Sequence, residues 1–241
     1  MKLLFLALAG LKFGKITLTA GSMILSLAVY ATLWGWKFAA GFVGLLFVHE
    51  MGHVLAAQRR GLSVSAPAFI PFLGAFITLK ERPADAETEA YVAYGGPFLG
   101  TLASFAVYFW ARSSDDMLLL AVSYSGFFLN LFNLLPIAPL DGGRITAVLG
   151  PRIWLFGAPI ALAAMLYQPS PMLIVIAVLA FPQLLAAWRH DPASPDAQAY
   201  YGRVSPVTRF EYVVLYLGLV ILLALMSYNV HDMLRAVHGG A

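Results

Sequence analysis

The sequence predicts an all-α polytopic membrane protein with six or seven membrane segments and a small re-entrant β-hairpin. Three observations carry that prediction. Hydrophobic residues make up 61% of the 241-residue chain and charged residues only 11%, against roughly a quarter charged in soluble domains. Mean hydropathy is +0.80. The apolar residues gather into runs near the length of about 20 that a bilayer-crossing helix needs. Fifteen basic against twelve acidic residues leave a net charge of +3, too small and too scattered for a nucleic-acid partner, so the expected surroundings are the lipid bilayer. Cysteine is absent, which excludes thiolate sites and leaves any transition metal to histidine and carboxylate.

The elements follow in order. Met1 to Gly10 ends in an Ala-x-Ala pattern, but the apolar run before it is short and Lys12 and Lys15 follow at once. That stretch is expected to be retained, lying at or dipping into the membrane interface. A first span is expected from about Ile16 to Trp36, and a second from about Ala39 to Gln58, ending at Arg59-Arg60. The positive-inside rule puts those arginines on the cytoplasmic side. Gly61 stops the helix. Leu62 to Leu79 then carries Pro67, Pro71 and Gly74 among β-branched and aromatic residues, which predicts two extended pieces joined by a turn. Irregular backbone at membrane depth is tolerated only against protein or a water-filled cavity, so this apolar segment is expected to re-enter beside the bundle.

Lys80 to Glu89 is the most charged stretch and is expected in water. A third span, about Ala90 to Ala111, contains Gly95-Gly96-Pro97, where small residues permit close helix approach. A polar turn at Arg112 to Asp116 leads to a fourth span, about Met117 to Ile137. Pro136 and Pro139 are expected to break it and to leave Asp141 on an irregular turn. Ile153 to Tyr167 and Pro171 to Trp188 read as a helical hairpin turning at Gln168 to Pro171. Arg189 to Arg209 is a polar connector, and Tyr212 to Tyr228 is a last span or a helix along the surface.

The second span holds His49-Glu50-Met51-Gly52-His53. Helix positions four apart stack on one face, so both imidazoles can converge on one metal ion with Glu50 beside them. That pattern is the signature of a zinc hydrolase site. Ionisable groups inside a span are costly and mark functional sites, whereas His190, His231 and His238 fall at span ends or in the tail. Catalytic zinc commonly has three protein ligands and an open position for water. Asp141 fits as the third, because it ends the fourth span on the side where the second places His53; an Asp-Gly pair also reads as a plain surface turn. Two other readings of the motif are an intramembrane proton or metal relay in a transporter and a catalytically inert scaffold. The glutamate next to the first histidine is what a hydrolase needs and a relay does not.

These residues, with Gly96-Pro97 and the run Asn133-Leu134-Leu135-Pro136-Ile137-Ala138-Pro139-Leu140-Asp141-Gly142-Gly143, resemble the site-2 protease family of zinc intramembrane proteases. The resemblance covers about residues 39–150. It implies one integral membrane domain, 1–241, with a catalytic core at about 39–150 and C-terminal membrane segments at about 151–241. It implies one Zn2+ per chain held by His49, His53 and Asp141, with Glu50 as general base and Asn133 assisting at the active site. The implied activity is hydrolysis of peptide bonds in or near transmembrane segments of membrane-protein substrates. The positive-inside reading of Arg59-Arg60 favours a cell membrane of bacterial type with the site towards the cytoplasm. The chain departs from the family at Gly100, where a polar residue is frequent. A substrate helix must unwind before attack, and an extended segment can then add to a sheet edge. Leu62 to Leu79 is expected to supply that edge, with Phe69, Ile70, Phe72, Gly74, Ala75 and Phe76 as substrate-binding candidates.

Overall fold

Glycine, proline and aspartate caps mark several of the breaks that divide this apolar chain into its helices. The structure is a computed structural model that describes residues 2–72, 74–167 and 171–239, with side chains at 17–72, 74–163, 166 and 173–236. Helix α1 (Lys2–Trp34) ends at Gly35, whose φ of 81° suits glycine and few other residues. Helix α2 (Trp36–Arg59) begins at once, three residues earlier than the sequence predicts. Lys12 and Lys15 do not interrupt α1: its backbone stays helical from Lys2, so the expected interfacial segment and first span are one helix, whose side chains before residue 17 lie outside the described ones.

Strands β1 (Ala68–Ile70) and β2 (Gly74–Phe76) form a two-stranded antiparallel sheet, with Ala68 opposite Phe76, Phe69 opposite Ala75 and Ile70 opposite Gly74. A bridge between Val64 and Leu79 extends the hairpin. Helix α1 holds the β1 edge with hydroxyls. Thr19 Oγ1 donates to the Pro67 carbonyl at 2.7 Å, the Phe69 amide donates to Ser22 Oγ at 3.2 Å, and the Phe72 amide donates to Tyr30 Oη at 2.9 Å. An outward-facing Phe69 amide makes Phe69–Ala75 the non-hydrogen-bonded pair, so Ala75 turns its N–H and C=O away from β1. The sheet therefore has one edge occupied by α1 and one edge at β2. Phe69 packs with Tyr30, Val43 and Leu46, and its ring stacks on Phe47 of α2.

Helix α3 (Ala86–Ser114) starts inside the stretch expected in water, because Asp85 caps it by accepting the Thr88 amide at 2.7 Å. Helix α4 (Met117–Asn133) is capped by Asp116 and ends four residues before the predicted Ile137. After irregular backbone through Pro136 and Pro139, Asp141 does not sit on a turn: it is the first residue of α5 (Asp141–Thr146). Helices α6 (Trp154–Tyr167) and α7 (Pro171–Trp188) are the expected apolar pair. The turn between them, at 168–170, lies outside the described residues. The polar connector contains α8 (Pro195–Tyr201), and α9 (Pro206–Gly239) is far longer than the predicted last segment.

Helix α2 packs along α3 and α4, and α9 packs along α4. Phe127 of α4 and Leu223 and Val230 of α9 are fully buried in that core. Among the described residues, four helices, within α1, α2, α3 and α9, are long and apolar enough to cross a membrane, while α4, α6 and α7 are shorter apolar helices.

Candidate metal centre

A helix buries charge at the middle of a bundle only where other elements bring compensating groups to the same depth. His49, Glu50 and His53 are 3–4% exposed, and each offers a ligand atom within 4.8 Å of the others. His53 lies about 9 Å along the helix from Arg59, at a rise of 1.5 Å per residue. From the opposite side the N-terminus of α5 presents Asp141, 7% exposed. Its Oδ2 is 3.1 Å from His49 Nε2 and 3.2 Å from His53 Nε2, and the two Nε2 atoms are 3.2 Å apart.

The surrounding hydrogen bonds fix the tautomers. Asn130 Nδ2 donates to the Gly126 carbonyl at 2.8 Å, so its Oδ1 faces His49 and accepts from Nδ1 at 2.8 Å. His53 Nδ1 donates to the Val92 carbonyl at 2.9 Å. With both Nδ1 atoms carrying the proton, both Nε2 lone pairs and the Asp141 carboxylate converge as three acceptors. A single proton can bridge only one of those contacts, whereas a cation at their centre satisfies all three. Ligand bonds of about 2.0–2.1 Å imply tetrahedral edges of about 3.3 Å, which the observed spacings approach. A divalent ion also balances the two buried carboxylates of Glu50 and Asp141, a pair costly to bury otherwise. The residues present therefore fit zinc.

Close helix approach makes room for this geometry. A Cβ on Gly52 would fall on the Gly95 carbonyl, and one on Gly96 would fall on the His53 ring. The small residues expected to permit close approach in α3 thus receive the metal face of α2. Behind Asp141, Arg144 Nη1 stands 3.8 Å from Oδ1 and Arg144 Nε is 3.3 Å from Glu89. Tyr200 Oη donates to Glu89 at 2.5 Å. Burial pushes the Tyr200 phenol above its usual range and the Glu89 carboxylate pushes it further, so it remains a donor. Glu89, at the end of the charged stretch, is tied into this partly buried network.

Of the sequence candidates, the structure brings together His49, Glu50, His53 and Asp141. Asn133 stands apart in its bonding: its Nδ2 donates to the Leu129 carbonyl of its own helix at 3.2 Å. The residue that sequence reasoning passed over is Asn130, one turn earlier and 1% exposed. Its signal was a second amide side chain inside an otherwise apolar run. Phe69, Ile70, Gly74, Ala75 and Phe76 lie in the two strands and Phe72, at φ 66°, in the turn between them.

Residues 37–115 match Peptidase family M50. A chloroplastic protein of Arabidopsis thaliana named as the zinc metalloprotease EGY1 is 28% identical over 44% of this chain and 28% of its own length. A zinc metalloprotease of Methanocaldococcus jannaschii is 27% identical over 50% of this chain and 36% of its own. The zinc metalloprotease Rip3 of Mycobacterium tuberculosis is 31% identical over 46% and 31% respectively. The chain thus aligns with about a third of the length of these curated relatives. A solved structure, the Site-2 Protease from Methanocaldococcus jannaschii, is 22% identical, with a TM-score of 0.44 over 69% of this chain and 85% of that one. The matched residues 37–115 carry His49, Glu50 and His53 of the candidate centre.

Proposed function

We propose that the protein is an intramembrane zinc metalloprotease that hydrolyses peptide bonds within or near transmembrane segments of membrane-protein substrates. The observation that carries this reading is the convergence of His49 Nε2, His53 Nε2 and Asp141 Oδ2 within 3.2 Å of one another, beside Glu50, in a helix apolar enough to span a bilayer. His49, His53 and Asp141 hold one zinc ion per chain. Zinc, when bound, acidifies the attacking water and polarises the scissile carbonyl. Glu50 takes the proton from that water and delivers it to the leaving amine. Asn133 assists by donating to the developing oxyanion, exchanging its weak intrahelical bond for a stronger one. The 241 residues act as one membrane domain of six or seven membrane segments, with the catalytic core at about 39–150. By the positive-inside rule, Arg59 and Arg60 support a site towards the cytoplasmic face of a bacterial-type cell membrane.

The substrate strand adds to the hairpin. Thr19, Ser22 and Tyr30 already occupy the β1 side, so the outward N–H and C=O of Ala75 on β2 are the pairing groups, with Phe69, Ile70, Phe72, Gly74 and Phe76 around them. Proline placed at Ala75 removes that amide and is expected to lower cleavage while zinc stays bound. Normal cleavage by every proline variant of the hairpin would remove the edge from the mechanism.

The decisive experiment compares the unsubstituted protein with Glu50→Gln in detergent, measuring zinc content and cleavage of a panel of single-span substrates. The expected result is one zinc per chain in both and cleavage lowered about 10²- to 10⁴-fold in the variant. Protein without zinc would undo the reading at its first step. Equal cleavage by both forms would remove Glu50 as base.

A further inference from the structure

One buried amide lies just outside the converging triad. Asn130 Oδ1 accepts from His49 Nδ1 at 2.8 Å while its Nδ2 donates to the Gly126 carbonyl at 2.8 Å. Its orientation is set by two bare backbones. A Cβ on Gly100 of α3 would fall on Asn130 Oδ1, with Nδ2 only 2.8 Å away, closer than side chains pack. A Cβ on Gly126 would fall on Ser104 Oγ, and Ser104 Oγ donates to the Gly100 carbonyl at 2.8 Å. The amide therefore fills the space that Gly100 leaves, and at 1% exposure it has no water to replace it as acceptor.

We propose that Asn130 is a positioning residue for the metal ligand His49, and that Gly100 is the socket admitting it. The Asn130 carbonyl keeps the His49 proton on Nδ1 and turns the Nε2 lone pair towards His53 Nε2 and Asp141 Oδ2. Gly100 contributes by having no side chain, because any Cβ there displaces the amide from the ring. This inference rests on the metal reading above. Outer partners that orient a ligating imidazole are commonly worth 10- to 100-fold in metal affinity.

The test measures the zinc dissociation constant of the full-length protein in detergent, by competition with a chelator, for the unsubstituted protein and five variants. Asn130→Leu removes the acceptor at similar volume and is expected to weaken zinc binding about 10- to 100-fold. Asn130→Asp keeps an acceptor oxygen at the same place and is expected to restore most of that loss, which a merely structural asparagine would not produce. Gly100→Ala is expected to weaken binding in the parent protein. In an Asn130→Ala background the same change should add nothing, since no amide remains to be displaced. Three results overturn the proposal: full zinc affinity in Asn130→Leu, equal losses in Asn130→Leu and Asn130→Asp, or additive losses for Gly100→Ala and Asn130→Ala. Lack of zinc in the unsubstituted protein overturns the metal reading itself, and this inference with it.

Discussion

Helices α1 and α2 are almost equally apolar, with mean hydropathies of 1.4 and 1.5 over their candidate spans, yet 11% of the first and 50% of the second is buried. Both carry polar side chains on an inward face. In α1 these include Thr19, Ser22 and Tyr30, neutral hydroxyls that bond the backbone of the hairpin. In α2 they are His49, Glu50 and His53, ionisable groups that meet one another and Asp141. A hydroxyl satisfies a backbone group and needs nothing more, whereas converging imidazoles and carboxylates need an ion. Hydropathy finds both spans, and the chemical type of the buried groups separates the one that fastens the hairpin from the one that carries the candidate metal centre.

The sharpest way to break this comparison is to put a methyl group on each helix. Gly52→Ala in α2 drives a Cβ into the Gly95 carbonyl, and the obstacle is backbone that cannot rotate aside. Pushing α2 from α3 costs about 1–3 kcal/mol by overpacking and moves His53 away from the Val92 carbonyl that orients it. The expected outcome is a lower unfolding midpoint in detergent together with reduced zinc content. Unchanged zinc at an unchanged midpoint would show that the α2–α3 crossing does not set the geometry of the centre.

Much of this division is legible in the sequence. His49-Glu50-Met51-Gly52-His53 announces its chemistry because the spacing and the helix period coincide, and Gly95-Gly96-Pro97 announces a close crossing. Asp141 is legible as a carboxylate at the right depth, although its place at the start of a helix is not, since two prolines upstream read equally as a loop. The ends of α1 and α9 are missed because lysines and an apolar run mark where a membrane begins, and a helix can continue past that boundary. Asn130 is hidden for another reason: its role depends on Gly100, thirty positions away on a neighbouring helix, and no local pattern joins the two. Which edge of the hairpin α1 occupies is equally beyond reach, because hydroxyls on α1 decide it.

Those hydroxyls give a second, smaller test. Thr19→Val, Ser22→Ala and Tyr30→Phe each remove one bond to the hairpin while nearly preserving shape. Side-chain hydrogen bonds within membrane proteins average about 0.6 kcal/mol, so each single change should lower stability by about that amount. Zinc content should stay at the parent level in all three, because none of these groups touches the centre. With the β1 edge released, the cleavage defect should appear as a raised KM more than a lowered kcat, since positioning of the strand is loosened while His49, Glu50, His53 and Asp141 are untouched. Loss of zinc in any of the three would erase the distinction between a fastening helix and a reacting one.

The smallest effect is expected at Gly21 of α1, where a Cβ would meet nothing within 4 Å. Alanine has a helix propensity about 1 kcal/mol better than glycine in water, and here no crowding opposes it. Gly21→Ala should therefore leave stability unchanged or slightly raised, with zinc content and cleavage at the parent level, measured beside Gly52→Ala in the same detergent. The pair is informative because the chemical change is identical and both glycines sit inside candidate spans. Gly44 shows that the contrast follows the face and not the helix: it lies on α2, yet a Cβ there also meets nothing within 4 Å. Gly44→Ala should behave like Gly21→Ala. A loss of zinc at Gly44 matching that at Gly52 would mean that α2 responds as a whole, and that the close crossing with α3 is not what holds His53 in place.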